Sequence, residues 1–398
     1  MNQATADFIR NNADADVRQL ALRGTKVPEV DLPFALDQIA GRQTARCKLP
    51  SWTAIDGIVY PPHFSMEQCS SEQTAKYKGK VLAEKCHAKV GIRFVDLTGG
   101  FGVDFTFIAQ ALLPNTPHLT YVEQQEHLCA VARENFLRLG LSQADVICAD
   151  GADYLQTMPP ADVIYLDPSR RDGHGSRTYG ISDCTPDVLQ LRDLLLQKSR
   201  YVLLKLSPML DWRKTVSDLG EQYVREVHII SVRNECKELL VLLGQGDGLK
   251  LICANDGDIF EMQYNGVTAN CLFAAPCADK FLYEPNASIM KAGCFAELSQ
   301  QFEVMPIAQN SHLFISTTLV NGFPGRIFQI GAITSLNKRE LKKHLHGISQ
   351  ANITIRNFPL SVAELRLRLK LNEGGNTYIF ATTLTSGDRV LLICRKVM

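Results

Sequence analysis

Four apolar segments of this chain each end in a carboxylate, and this repetition is the most informative chemical feature of the sequence. The segments are GIRFVD (91–96), HLTYVE (118–123), ADVICAD (144–150) and ADVIYLD (161–167). In an open α/β sheet, ligands bind in the crevice beyond the carboxyl ends of the strands. We therefore expect one small molecule to be surrounded at this edge by Asp96, Glu123, Asp150 and Asp167.

The chemistry of that molecule follows from its surroundings. Several carboxylates suit a ligand with hydroxyls, an amine and a positive charge, and S-adenosylmethionine has all three. The first segment also continues into a glycine-rich turn, DLTGGFG (96–102), where a ligand can approach the backbone closely. A dinucleotide fingerprint would need a glycine at Phe105, and no Gly-Lys-Ser/Thr of a P-loop is present, so NAD and ATP are less favoured.

Residues 91–245 resemble a class I S-adenosylmethionine-dependent methyltransferase, which implies a Rossmann-like α/β fold with a seven-stranded sheet. A fifth apolar run (200–208) follows, and two further runs joined by RNEC predict an antiparallel pair that closes an otherwise parallel sheet. The resemblance implies that the glycine turn holds the methionine part of the cofactor, Glu123 the ribose and Asp150 the adenine. The turn residues concerned are Asp96, Thr98, Gly100 and Gly102, and Asp167 lies at the same edge.

The segment Asp167-Pro168-Ser169-Arg170 resembles the Asp-Pro-Pro loops of methyltransferases that act on base nitrogens. The resemblance implies that Asp167 and the Pro168 carbonyl orient a target amine. The sequence departs from that pattern because Ser169 replaces a second proline and position 170 is not aromatic. Tyr165 or Tyr179 could instead supply a stacking platform for the base.

The two arginines that follow the Asp-Pro motif have two possible roles. Arg170 and Arg171 could bind a substrate phosphate through bidentate contacts, or pair with Asp172 or Asp183 at the surface. Methylation at a pyrimidine C5 would need a cysteine nucleophile, for which Cys184 is a candidate. That residue is not next to the Asp-Pro motif in the sequence, so a structural cysteine is favoured.

Ribose 2′-O-methylation is the alternative reaction, because enzymes of that kind use a Lys-Asp-Lys-Glu set. Asp167 and Lys205 could belong to such a set, or Lys205 could be a strand-end side chain that reaches solvent. The remaining lysine would be Lys76, Lys78 or Lys80, and the glutamate Glu235 or Glu238. The Asp-Pro motif favours base methylation.

Charge is unevenly distributed along a chain whose net charge is zero. Residues 326–398 contain 12 Lys and Arg against 4 Asp and Glu, a net of +8, so the other residues carry −8. A basic module on an acidic body is typical of an RNA-binding appendage, although a solvated helix face is the alternative. Two predicted helices carry most of this charge, at Lys338, Arg339, Lys342, Lys343, Arg366, Arg368 and Lys370.

The C-terminal segments LYEPNASIMKAG (282–293), RNFPLS (356–361) and EGGNTYIFATT (373–383) resemble a bacterial methyltransferase family with ferredoxin-like and THUMP-like modules. We predict an N-terminal helical region (1–75) with a linker around Trp52, a catalytic domain (76–246), a linker and ferredoxin-like domain (247–325) and a THUMP-like domain (326–398). The THUMP-like resemblance implies structured RNA, tRNA or rRNA, as the partner.

Other features narrow the class of protein. No signal peptide or apolar run near 18 residues is present, so we expect a cytoplasmic protein without membrane contact. Twelve cysteines without a Cys-x-x-Cys pair predict no metal site. A methyltransferase acting on a small molecule or protein, including O-methylation, and a non-catalytic RNA-binding protein remain alternative hypotheses.

Overall fold

The structure is a computed structural model, and it describes residues 1–87, 89–115, 117–170, 180–266 and 271–397. It forms two compact units. The first contains Met1–Glu226 and Glu238–Asp247, and the second contains Val227–Lys237 and Gly248–Met398. None of the described helices is both long enough and apolar enough to cross a membrane.

The first unit begins with helices and continues as alternating strands and helices. Its helices are α1 (Gln3–Asn11), α2 (Val17–Arg23), α3 (Leu32–Lys48), α4 (Pro50–Thr53), α5 (His63–Gln68), α6 (Glu72–Cys86), α7 (Val103–Leu112), α8 (Glu126–Arg138), α9 (Gly151–Thr157), α10 (Val188–Lys198) and α11 (Trp212–Leu219). Its strands are β1 (Arg93–Asp96), β2 (His118–Glu123), β3 (Asp145–Cys148), β4 (Ala161–Leu166), β5 (Ser169–Arg170), β6 (Cys184–Thr185), β7 (Ser199–Leu206), the start of β8 (Val224–Val232) and most of β9 (Glu235–Gly244). Short 3₁₀ turns lie at Leu113–Asn115, Ile181–Asp183 and Glu221–Tyr223.

All seven strands predicted from the apolar runs are present, and they are β1 to β4 and β7 to β9. Within the first unit the order is β3-β2-β1-β4-β7-β9, with parallel pairing except between β7 and β9. The central strands are apolar throughout because helices cover parallel sheets on both faces. The predicted α/β fold with an antiparallel final strand is therefore confirmed.

The strand order places the predicted site at a topological switch point. The chain steps from β1 outward to β2 and β3, then returns to form β4 on the other side of β1. The loops that follow β1 and β4 consequently leave the sheet in opposite directions and open a crevice between them. Both segments singled out in the sequence, the glycine turn and the Asp-Pro motif, are at this crevice.

The predicted linker around Trp52 begins with a short helix, whereas residues 54–62 are irregular. Pro50 is the first residue of α4, a position that proline favours, and the helix carries Trp52 into the core at 1% exposure. Its ring lies edge-on to Phe101 of the glycine turn, with centroids 5.1 Å apart. Pro50 and Pro61-Pro62 indicated an irregular segment between them. The packing of Trp52 against Phe101 instead fixes the start of this segment as a helix.

The second unit contains β10 (Leu249–Asn255) and β11 (Asp258–Tyr264) as an antiparallel hairpin, followed by a larger sheet. The remaining elements are β12 (Phe281–Pro285), α12 (Ala287–Ala292), α13 (Phe295–Phe302), β13 (Met305–Pro306), β14 (Phe314–Ser316), β15 (Gly325–Thr334), α14 (Lys338–His344), β16 (Asn352–Arg356), α15 (Val362–Leu369), β17 (Thr377–Thr383) and β18 (Arg389–Lys396). They form a sheet of order β13-β14-β12-β15-β18-β17-β16. Its two faces carry separate cores, around Phe328 and Phe380 on one side and Leu365 and Ile379 on the other.

Candidate active site

The glycine turn is tied to the second strand by hydrogen bonds to a carboxylate. Gly100 N–H donates to Glu123 Oε2 at 2.9 Å, and Gln125 N–H donates to Glu123 Oε1 at 2.8 Å. Gly100 and Gly102 have φ of +56° and +80°, a region that L side chains disfavour. A Cβ on the neighbouring Gly99 would lie 2.2 Å from the Tyr121 ring. The turn therefore needs glycine both for its conformation and for its close packing on β2.

Asp96 closes β1 beneath this turn and is 1% exposed. It accepts a hydrogen bond from Thr98 N–H at 2.9 Å. Burial raises the pKa of Asp96 well above its usual range, and the carboxylates of Asp104, Asp167 and Glu123 add to the effect against the Thr98 hydrogen bond. A buried acid of this kind can bind a cationic group, because a nearby positive charge lowers the pKa of the acid and favours its ionised form.

The loop after β4 is fastened to the glycine turn. Asp167 N–H donates to Thr98 Oγ1 at 2.7 Å, so Thr98 joins the two loops that border the crevice. Asp167 Oδ2 lies 2.5 Å from Lys205 Nζ on β7. The Asp167 side chain is 36% exposed, whereas that of Lys205 is 12% exposed. The pair thus presents its carboxylate to the crevice and keeps its ammonium group behind.

This pair belongs to a buried ion cluster, which we define as Lys78, Asp104, Asp167, Lys205 and Glu238. Lys78 on α6 is fully buried, with Nζ 2.5 Å from Glu238 Oε2 and 3.1 Å from Asp104 Oδ1. Lys205 Nζ lies 4.0 Å from Asp104 Oδ2. Buried charges are tolerated only when they are paired, and each member of the cluster has a partner of opposite charge.

Burial and the neighbouring charges in the cluster shift the pKa values of Lys205, Asp167 and Asp104. Burial favours the neutral form of Lys205, but the carboxylates of Asp167, Asp104 and Glu238 outweigh burial and raise its pKa. Burial raises the pKa of Asp167, and Lys205 opposes that effect only in part. For Asp104, burial is outweighed by Lys78, Lys205 and hydrogen-bond donors, so its pKa is lowered. We conclude that Lys205 is an ammonium group at neutral pH, beside a carboxylate of increased basicity.

Among the alternatives left open by the sequence, the structure brings Lys78 and Glu238 to this cluster. Lys76 instead pairs with Glu72 at 2.5 Å, and Lys80 lies 3.9 Å from Glu84 on the helix surface. Glu235 pairs with Lys237 at 2.7 Å. Asp104 was missed in the sequence, although an acidic residue within the apolar helix that follows the glycine turn was an available signal.

Tyr165 does not provide the stacking platform that the sequence suggested. It is 1% exposed, and its hydroxyl donates to Asp104 Oδ2 at 2.7 Å, so its ring faces the cluster. Tyr179, the other candidate, and Arg171 lie outside the described residues. Ser169 and Arg170 form β5, which pairs with Cys184 and Thr185 of β6. Cys184 is thus opposite the motif although it is distant in the sequence, and it is 4% exposed.

Asp150 has a structural role that competes with ligand binding. It is the N-cap of α9, and its Oδ1 accepts from Ala152 N–H at 2.8 Å and Asp153 N–H at 3.2 Å. The side chain is nevertheless exposed at the edge of the sheet beside Glu123, whose strand pairs with β3. Both the cap and the predicted adenine contact are compatible with this position.

Substitutions at Asp150 should separate the two roles. Asp150→Ala is expected to lower the free energy of unfolding by about 1 kcal/mol because the cap is lost, whereas Asp150→Ser should retain most of it. If Asp150 also contacts the cofactor, both variants lose the stabilisation that the wild-type protein gains from added S-adenosylmethionine. Thermal unfolding with and without the ligand measures both effects, and full ligand stabilisation of the serine variant would contradict the adenine contact.

The basic residues of the second unit fall into two groups. Lys338, Arg339, Lys342 and Lys343 are exposed on α14. On α15, by contrast, Arg366 donates to Ala351 O at 3.1 Å and Arg368 to Leu336 O at 3.4 Å. Lys370 is the exposed C-cap of that helix, with φ of +57°. The freely presented charge is therefore concentrated on α14.

Within the part of the chain that the structure describes, no group of three or more His, Cys, Asp or Glu residues is placed to hold a metal ion. The fold is that of a class I methyltransferase, as shown by the glycine turn, the carboxylates at successive strand ends and the parallel strand order.

Comparison with known proteins identifies the relatives of this chain. A crystal structure of a candidate methyltransferase from Porphyromonas gingivalis W83 is similar at 30% identity and a TM-score of 0.84, covering 99% of this chain and 98% of that one. A candidate class I S-adenosylmethionine-dependent methyltransferase from Listeria monocytogenes matches at 12% identity and a TM-score of 0.40, over 62% of this chain and 89% of its own. An S-adenosylmethionine-dependent methyltransferase from Agrobacterium tumefaciens matches at 18% identity and a TM-score of 0.32, over 44% of this chain and 62% of its own.

Two family models match the second unit, a ferredoxin-like domain at residues 281–324 and a THUMP domain-like region at 325–396. A search of curated proteins found no match. The chain belongs to the family of the Porphyromonas gingivalis protein. This chain combines a class I methyltransferase fold with C-terminal ferredoxin-like and THUMP-like domains.

Proposed function

We propose that this protein is an S-adenosylmethionine-dependent methyltransferase. Family membership and the chemistry of the crevice support the proposal. Asp96, Thr98, Gly100 and Gly102 would hold the methionine part of the cofactor, Glu123 the ribose hydroxyls and Asp150 the adenine. Carboxylates around a partly buried glycine turn fit a ligand with an amine, two ribose hydroxyls and a sulfonium. The cofactor supplies a methyl group that is already activated for transfer.

The acceptor is proposed to be structured RNA, with tRNA and rRNA as the candidate classes. Support comes from the basic second unit, whose residues 326–398 carry a net charge of +8, and from the exposed cations of α14. Arg170 would engage a phosphate near the acceptor, and Arg171 of the same motif, outside the described residues, would do the same. A cytoplasmic location would suit this substrate.

For the acceptor atom, the observation that carries most weight is the contact between Lys205 and Asp167 at 2.5 Å. A hydroxyl must lose a proton as it takes the methyl group, and a carboxylate whose pKa is raised by burial can accept that proton. Lys205, the more buried member of the pair, holds this carboxylate in place. The geometry therefore supports a hydroxyl, such as the ribose 2′-OH, better than the base nitrogen that the Asp-Pro motif suggests.

In the proposed reaction, Asp167 accepts the hydrogen bond and then the proton of the acceptor hydroxyl. Burial raises the pKa of Asp167, which makes it a better base, and Lys205 holds the carboxylate in place from behind. The Thr98 hydroxyl fixes the backbone of the same residue against the glycine turn. The protein thus supplies position and a proton acceptor, as an activated methyl donor requires.

The decisive experiment is transfer of labelled methyl from S-adenosylmethionine to total RNA from a strain that lacks this gene. Nucleoside mass spectrometry then identifies the product. A 2′-O-methylated nucleoside is expected. A methylated base nitrogen would support the alternative derived from the Asp-Pro motif. Cofactor binding without label in any RNA would overturn the RNA proposal and favour a small-molecule or protein substrate.

Neutralising α14 should weaken RNA binding without affecting the catalytic unit. The triple variant Arg339→Gln, Lys342→Gln, Lys343→Gln is expected to reduce the slope of log affinity against log salt by roughly two to three, because each phosphate contact contributes about 0.7 to 0.9. The matched control replaces Arg18, Arg23 and Lys26, which are exposed in the N-terminal helical region. Fluorescence anisotropy with a labelled tRNA transcript measures both. An equal loss in the two triple variants would indicate a general charge effect and contradict docking by α14.

A further inference from the structure

Asp104 occupies the centre of the buried ion cluster although it is remote from the surface of the crevice. Its carboxylate is 10% exposed and lies between the two lysines, 3.1 Å from Lys78 Nζ and 4.0 Å from Lys205 Nζ. Oδ2 accepts a hydrogen bond from Tyr165 at 2.7 Å, and the Ser70 hydroxyl lies 2.8 Å from the same oxygen. Oδ1 makes no hydrogen bond to any described residue, so Lys78 reaches it only as an ion.

The position of Asp104 in the fold links two parts of the site. It is the second residue of α7, the helix that directly follows the glycine turn. Tyr165, its hydrogen-bond donor, lies on β4 two residues before Asp167. A displacement of either loop would therefore change the distance between Asp104 and Lys205.

A purely structural role would not require so costly an arrangement. Burial of a carboxylate is unfavourable unless it is matched by cations and donors, and Asp104 uses both kinds. Lys78 is already paired with Glu238 at 2.5 Å, so Asp104 is not needed to neutralise it. The residue that depends on Asp104 is Lys205, because among the described residues only Asp167 offers it a closer carboxylate.

We propose that Asp104 is a positioning residue that keeps Lys205 protonated and directed at Asp167 throughout the methyl-transfer cycle. The reason lies in the reaction proposed above, on which this inference rests. When Asp167 takes up the acceptor proton it loses its negative charge, and Lys205 loses its nearest counter-ion. Asp104, which never meets the acceptor, supplies a second carboxylate that retains the ammonium group at that moment.

The groups that face Lys205 come from several elements. They are Asp167 after β4, Asp104 on α7, Glu238 on β9 and Cys69 before α6. Lys78 on α6 and the Tyr165 hydroxyl on β4 contact Asp104 in the same cluster. Asp104 is in turn faced by Lys78, Lys205, Tyr165 and Ser70, with Asp96 and Asp167 as neighbouring acids. Removing the charge of Asp104 leaves Lys205 with one close carboxylate and one more distant one.

The test measures the charge of Lys205 directly, without RNA or cofactor. Full-length protein is labelled with carbon-13 at lysine Cε, and the Lys205 signal is assigned by its absence in Lys205→Met. In the wild-type protein the signal should remain that of an ammonium group at every pH at which the protein stays folded, because the nearby carboxylates raise the pKa of Lys205. In Asp104→Asn the signal should begin to change within the alkaline part of that range, because one of those carboxylates has lost its charge. A Lys205 signal unchanged in that variant would overturn the proposal.

The pH dependence of methyl transfer provides the second readout. In Asp104→Asn, activity towards the RNA preparation described above should be lost at a lower pH than in the wild-type protein, following the Lys205 titration. A structural role alone would lower activity by the same factor at every pH. The titration needs neither RNA nor S-adenosylmethionine. Its result therefore tests the role of Asp104 even if the proposed RNA methylation is wrong.

If Asp104→Asn does not fold, Asp167→Asn carries the test. It removes the charge of Asp167, as proton uptake does, while Asp104 keeps its carboxylate 4.0 Å from Lys205 Nζ. The Lys205 signal should then remain that of an ammonium group at neutral pH. A neutral amine at that pH would contradict the role of Asp104.

Discussion

Replacing Asp167 with Ala is expected to reduce methyl transfer by about a thousandfold, because the variant loses both the proton acceptor and the group that orients the substrate. Affinity for S-adenosylmethionine should change by no more than about tenfold, since the proposed main contacts come from the glycine turn, Glu123 and Asp150. Transfer of labelled methyl to RNA measures the first quantity, and calorimetric titration with S-adenosylmethionine measures the second. Full activity of this variant would refute the catalytic role.

Asp167→Asn makes the same experiment diagnostic for the acceptor atom. An amide oxygen can still accept a hydrogen bond from an amine and orient it, but an amide cannot take up a proton. A hydroxyl acceptor therefore predicts that Asp167→Asn is nearly as defective as Asp167→Ala. A base-nitrogen acceptor predicts substantial residual activity.

Lys205→Met provides the complementary control. It preserves the apolar stem but removes the ammonium group, so a hydroxyl acceptor predicts a loss of about a hundredfold or more. The matched substitution is Lys80→Met on the surface of α6, where the side chain is 65% exposed and makes only a distant pair with Glu84. Equal behaviour of the two lysine variants would indicate that Lys205 serves packing rather than chemistry.

The largest stability effect is expected at Glu284 in the second unit. Its carboxylate is 5% exposed and is shared by two arginines, with Oε2 accepting from Arg326 Nε at 2.8 Å and Oε1 from Arg356 Nη2 at 2.9 Å. Arg326 is directly opposite Glu284 on β15, whereas Arg356 is on β16, the far edge strand of the sheet. The sheet must curl for these side chains to meet, and the register shift between Ile330 and Ala332 of β15 assists such bending.

Glu284→Ala should therefore lower the free energy of opening of this sheet by about 3 kcal/mol, because two partly buried cations are left without their carboxylate. Hydrogen exchange measured by mass spectrometry on the whole chain should show faster exchange in peptides of β12, β15 and β16. Glu373→Ala is the control, since Glu373 is exposed in the same unit. Unchanged protection in the Glu284 variant would mean that the apolar core around Phe328 holds the curled sheet without the ion pairs.

Much of the fold and of the cofactor side of the candidate site could be predicted from the sequence. The apolar runs end where β1, β2 and β4 end or one residue later, and the glycines of the turn at 99–102 have the conformations and close contacts that only glycine permits. These features are local. A buried parallel strand needs a continuous apolar run, and a turn with positive φ needs glycine, so both leave a direct record in the sequence.

The choice among Lys76, Lys78 and Lys80 could not be predicted, because it depends on how α6 packs. Successive even positions on a helix point in different directions, and only the contact of α6 with α7 determines which lysine is buried. Gly79 lies at that contact, where an added Cβ would be 2.7 Å from Phe107 O. The adjacent Lys78 is consequently fully buried, while Lys76 and Lys80 are 59% and 65% exposed.

The sequence alone thus determined which segments form the sheet and which carboxylates follow its strands, because strand period and turn chemistry act over a few residues. Tertiary structure alone decided that Glu238 rather than Glu235 enters the ion cluster, since positions three apart on a strand face opposite ways. It likewise decided that Asp104 joins Lys78 to Lys205, and that Tyr165 serves this cluster instead of a substrate base. Those contacts join residues far apart in the chain, and long-range packing leaves no periodic signal from which to predict them.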